Sequence, residues 1–141
     1  MQRSGFNRND LLTAYTTLIR PVFDFAAVTY HSLLTRDQTN ALERLQKRAI
    51  KLIDDNYTGY ETSLSNLGLT TLEDRRLALI DGFLRKAVNN PRFTQNWFPL
   101  KGAHGYDTRH EKNYMEYKYN TERAKRGPLS FFRRRLNEAG I

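Results

Sequence analysis

Apolar residues recur three and four positions apart through the first ninety residues, and proline, glycine and asparagine interrupt them at short intervals. That period turns one face of a helix inward, so the chain is expected to build short, packed α-helices. Leu11, Leu12, Tyr15, Leu18 and Ile19, then Val22, Phe23, Ala26, Ala27, Tyr30 and Leu34, hold the spacing from Asn9 to about Leu34. Pro21 lies inside this run. It lacks an amide hydrogen and crowds the preceding turn, so it either kinks one long helix or opens a second in its first turn; two helices are expected.

The next helix is the most clearly marked. Thr35 with Gln38 three residues later is a capping-box pattern, and the helix should run to about Ile53. Leu42, Leu45, Ala49 and Leu52 follow a 3-4-3 stripe, joined by Ile53, and are the expected core positions. At 100° per residue, Arg44, Lys47, Arg48 and Lys51 gather on the opposite face, with Glu43 nearby. Beyond Asp54, Asp55 and Asn56, the residues Tyr57, Tyr60, Leu64 and Leu67 predict a short helix stopped by Gly68. Thr70 with Glu73 repeats the capping pattern and opens a helix through Leu72, Leu79, Ile80, Phe83, Leu84, Ala87 and Val88, ending at Asn89, Asn90 and Pro91.

Periodicity is lost after Pro91, and a domain edge is expected there, between a helical bundle over 1–90 and an aromatic, basic arm over 91–141. The net charge is +8, and residues 101–141 hold ten Lys and Arg against five Asp and Glu. The arm interleaves Tyr106, Tyr114, Tyr117 and Tyr119 with Arg109, Lys112, Lys118, Arg123, Lys125 and Arg126. Such a mixture stacks bases on rings while cations hold phosphates, or else packs its tyrosines on the core; the sequence leaves both readings open. From Pro128, the residues Leu129, Phe132 and Leu136 predict a final helix docked on the bundle and bearing Arg133, Arg134 and Arg135.

This charge surplus suits a polyanion, because clustered Lys and Arg gain affinity by releasing the counterions condensed on phosphates. The four cations of the Thr35-capped helix form a rail able to follow a phosphate backbone, although an ordinary solvated face has the same pattern. Several chemistries find no residues here. There is no cysteine, which excludes disulfides, thiolate metal sites and cysteine nucleophiles. His31, His104 and His110 are scattered without a metal-ligand spacing, and no glycine-rich phosphate loop or nucleophile elbow occurs, so neither metal nor cofactor is expected. Adjacent Asp54 and Asp55 could in principle present carboxylates to magnesium, but they follow a helix and are read as its terminator. With no signal-peptide core and no run of about 20 apolar residues, an intracellular protein is expected, cytoplasmic or nuclear.

Four segments carry a family resemblance. The run Leu11–Ala26, the helix segment Ala41–Ala49 with its Leu-Glu-x-x-Gln-Lys-Arg-Ala pattern, the Leu67–Arg76 turn and helix start, and the stretch from Tyr106 to Asn137 through Gly127 and Pro128 come in the order found in reverse transcriptases of non-long-terminal-repeat (LINE-like) retrotransposons. The chain resembles the thumb and C-terminal extension that follow the polymerase core in that family. The resemblance implies a helical thumb gripping a template–primer duplex, and fingers, palm and catalytic aspartates are not in this chain. The expected protein is therefore all-α, a small thumb-like bundle of about four to five helices with an irregular basic arm ending in a short helix. Its expected role is sequence-tolerant, non-catalytic binding to RNA, DNA or hybrid, with the remainder of a reverse transcriptase as a further partner. The alternatives are a helical protein-interaction module, or a decayed or host-captured fragment without activity.

Overall fold

Asn7 begins the first helix, α1 (Arg8–Asp24), with a reciprocal cap: its side chain accepts the Asp10 N–H at 2.9 Å, and the Asp10 carboxylate accepts the Asn7 N–H at 3.1 Å. Within α1, Tyr15–Ile19 are wound as a π-turn in which the Arg20 N–H reaches back to the Tyr15 carbonyl. Pro21 follows at once. The wider turn takes up the ring and the missing donor that a regular α-turn would reject, so one helix passes through a proline where two were expected. The chain breaks at Ala26, whose φ is 54°, and resumes as α2 (Ala27–Tyr30), extended by a 3-10 turn over His31–Leu33.

The computed structural model describes residues 5–100 and 114–140, and the chain is all-α. Helix α3 spans Arg36–Ile53 and carries the expected capping box, with Thr35 Oγ1 accepting the Gln38 N–H at 3.3 Å and Gln38 Oε1 accepting the Thr35 N–H at 2.9 Å. Helix α4 (Tyr60–Asn66) ends at Gly68 as expected; the glycine's φ of 63° lets the Leu69 N–H reach the Leu64 carbonyl at 2.8 Å. Helix α5 spans Leu72–Ala87. Its cap lies one residue later than the spacing of Thr70 and Glu73 predicts: Thr71 Oγ1 accepts the Asp74 N–H at 3.0 Å and donates to Asp74 Oδ2 at 2.6 Å. The Thr70 carbonyl is occupied by the Gln46 side chain. Among the described residues three shorter elements follow, α6 (Pro91–Asn96), α7 (Glu122–Lys125) and α8 (Pro128–Ala139), together with an isolated antiparallel bridge from Leu100 to Tyr114.

Two compact units result. The first joins the described residues up to Ala27 with Leu34–Leu79; the second joins Val28–Leu33 with the described residues from Ile80 onward. In the first, Tyr15, Ile50, Ile53, Leu64, Leu67 and Leu69 form the core, flanked by Leu12, Ala49, Tyr57 and Tyr60. Arg75 on α5 grips the Asp24 carboxylate at the end of α1, with Nε at 2.7 and 3.0 Å from its two oxygens. In the second, Ile80, Leu84 and Ala87 of α5 pack with Phe98, Tyr114, Phe132 and Leu136.

The final helix is therefore docked, as expected, but the units do not divide at residue 90. Ile80, Leu84 and Ala87 continue α5 as an apolar stripe that Phe98, Tyr114, Phe132 and Leu136 of the arm cover, with Val28 packed against the same cluster, so the arm forms a core with the end of that helix. Asn137 holds the arm by its backbone, accepting the Tyr114 N–H at 3.0 Å and donating to the Tyr114 carbonyl at 3.1 Å. Arg135 closes the pair to Asp81 at 2.8 and 2.9 Å, and those hydrogen bonds hold the Asp81 carboxyl below the usual carboxylate range.

Candidate nucleic-acid interface

Helix α3 turns Gln46, Ile50 and Ile53 into the first unit's core. This rotates its buried face away from the expected stripe. Leu45 is 50% exposed and Leu52 75% exposed, so neither is a core position, and Leu42 and Ala49 are half-buried at the margin. The cause is polar. Periodicity places Gln46 outside because it is hydrophilic, whereas here it is buried and fully engaged.

Arg44, Lys47, Arg48 and Lys51 are all exposed on the far side of the helix, as their spacing predicts. The Lys47 ammonium sits 4.8 Å from the centre of the Tyr60 ring and that of Lys51 sits 5.2 Å from Tyr57, so two of the four cations rest on aromatic faces. Leu45 and Leu52 border the same face. Glu43, which the sequence places near the rail, is turned inward and accepts from the Tyr60 hydroxyl and from the Leu72 N–H at 3.2 and 3.3 Å. It leaves the rail unneutralised and caps α5 instead.

Gln46 completes this network. Its Oε1 accepts from the Tyr15 hydroxyl at 2.6 Å, and its Nε2 donates to the Tyr60 hydroxyl and the Thr70 carbonyl, each at 2.9 Å. Burial pushes the Tyr15 hydroxyl up to about 12, and burial with the Glu43 hydrogen bond raises that of Tyr60 as well. A folded-state pKa above the unfolded value means that the stabilisation is complete below about 10 and is lost as pH rises towards 12. Alkaline titration should therefore show tyrosinate absorbance from these two residues rising together with loss of helical circular dichroism. Independent ionisation of every tyrosine with the helices intact would contradict the network.

No protein-family model, curated protein or solved structure matches the chain. Among the described residues there is no group of three or more His, Cys, Asp and Glu able to hold a metal ion. Asp54 is buried at the end of α3, with one oxygen 3.6 Å from Arg8, while Asp55 is exposed, so the pair does not present two carboxylates together. No single helix among the described residues is long and apolar enough to cross a membrane.

The arm's predicted cations divide sharply. Lys118, Arg123, Lys125, Arg126 and Arg134 are exposed, with Lys125 paired to Glu122 at 2.6 Å. Arg133 is a structural residue: only 5% exposed, it donates to the Trp97 carbonyl at 2.8 Å and the Tyr119 hydroxyl at 3.3 Å. Arg135 is half-buried and committed to Asp81. Three consecutive arginines on a helix point 100° apart, so α8 can offer only part of them to solvent. Arg109, Tyr106, Lys112, His104 and His110 lie outside the described residues.

Proposed function

We propose that the chain is a nucleic-acid-binding module whose α3 face grips the phosphate backbone of RNA, DNA or hybrid duplex without reading its sequence, and that it is not catalytic alone. The observation that carries this reading is the row of Arg44, Lys47, Arg48 and Lys51, exposed together and without an ion pair among the described residues. The tyrosines beneath Lys47 and Lys51 hold two of the charges against the unit, lowering the entropy lost when a phosphate is bound. The resemblance to a retrotransposon reverse-transcriptase thumb supports the same reading, and on it the remainder of such an enzyme is the natural partner.

Changing Lys47, Arg48 and Lys51 together to Gln is expected to weaken duplex binding about equally for unrelated sequences, because cations that hold phosphates position a protein without reading bases. The logarithmic salt slope should shrink by roughly 0.9 for each duplex phosphate that the variant no longer neutralises. Helical content should be retained, since all three residues are exposed and none belongs to the core. Fluorescence anisotropy over a salt series reads both quantities. A folded triple variant with the original affinity and slope would overturn the proposal.

A protein-interaction module is the second reading, favoured by Leu45 and Leu52 beside the cations. Burial of those leucines by a partner would persist at salt concentrations that screen the attraction between cations and phosphates.

A further inference from the structure

We infer that a cleft in the second unit, between the segment following Tyr114 and helix α8, receives one unstacked base and its phosphate from a single-stranded nucleic acid. This rests on the reading that the chain binds nucleic acid, and it assigns the second unit a strand type and a subsite. The cleft has a volume of about 390 Å³, within the range that encloses small ligands, and its lining includes Tyr117, Lys118, Tyr119, Asn120, Arg133 and Arg134.

The described tyrosines of the arm take two roles. Tyr114 is buried against Phe98 and belongs to the core. Tyr117 is 49% exposed, yet its ring is held: the Arg133 guanidinium lies 4.5 Å from its centre, and the Tyr119 ring meets it edge-on at 6.5 Å. Arg133 is in turn fixed by the Trp97 carbonyl and the Tyr119 hydroxyl. An aromatic platform oriented before binding loses little entropy when a base stacks on it. Lys118 and Arg134 line the same cleft and are exposed, which places cations beside the platform for a phosphate; Asn120 adds an amide for a base edge, and the one carboxylate in the lining, Glu116, accepts from the Asn137 amide at 3.0 Å. Lys125 also lines it but is paired with Glu122 and contributes less. A ring with adjacent cations is the combination that single strands use, since an unpaired base exposes its π-face and a duplex does not.

The test uses the full chain, a fluorescein-labelled uridine oligomer and a blunt duplex, both followed by anisotropy at low salt. Tyr117→Leu should weaken oligomer binding by about tenfold while duplex affinity is unchanged, and Tyr117→Phe should retain it, because stacking needs the ring and not the hydroxyl. Arg134→Gln should weaken oligomer binding and reduce its salt slope by about 0.7. Should Tyr117→Leu fail to fold, Arg134→Gln and photocrosslinking of a 5-iodouridine oligomer to Tyr117 in the unaltered chain decide the matter. Duplex bound and oligomer not bound overturns the cleft and leaves the α3 reading standing. Neither probe bound overturns both. Oligomer binding indifferent to Tyr117→Leu and Arg134→Gln, or displaced equally well by polyglutamate, also overturns the cleft.

Discussion

Shortening Ile50 to Ala is expected to destabilise the first unit by about 2–5 kcal/mol, whereas the same truncation at Leu45 should cost under about 0.5 kcal/mol. Ile50 is fully enclosed among Tyr15, Ile53, Leu64, Leu67 and Leu69, and removing most of its side chain leaves a cavity that close-packed neighbours fill only in part. Leu45 keeps half its surface in water, so its truncation removes little buried area. Urea denaturation followed by circular dichroism measures both. The comparison also tests the rail, because the two leucine and isoleucine positions lie on different faces of α3. If Leu45→Ala proved the more damaging, the helix would be rotated and the cations would face differently from the surface described above.

Replacing Gln46 with Leu, similar in size but apolar, is expected to cost about 2–4 kcal/mol, since several buried polar groups lose a partner at once. The Tyr15 hydroxyl loses its acceptor, the Thr70 carbonyl loses its donor, and the Tyr60 hydroxyl keeps only Glu43. Adding Tyr15→Phe removes one stranded hydroxyl, so the double variant should be more stable than the sum of the two single losses predicts. The same denaturation measurements supply this cycle. A Gln46→Leu variant as stable as the original chain would show that the network contributes no net stability.

These two residues mark where a linear reading reaches its end. The start and stop of α3, the Gly68 termination of α4, the proline opening of α8 and the all-α class were legible because each depends on groups within a few residues of one another, such as Thr35 with Gln38. The exposure of Arg44, Lys47, Arg48 and Lys51 was legible for the same reason, as a spacing on one helix. The π-turn before Pro21 was not, since proline is compatible with a new helix as well as with a widened turn.

Other features needed partners far along the chain. Gln46 is buried because Tyr15 and Thr70, 31 and 24 residues away, satisfy its amide, and Arg135 is spent because Asp81 lies 54 residues before it. Arg20, Asp24, Glu43, Gln46 and Arg75, within the motifs on which the thumb resemblance rests, likewise make hydrogen bonds to groups distant in sequence. The sequence by itself determined the helices and the charges they carry, because hydrogen bonds along a helix and the angle between its residues are local. Tertiary structure alone decided which polar side chains are interior, which arginines remain exposed and which tyrosine offers a face, because a polar group is buried only where a remote partner replaces water.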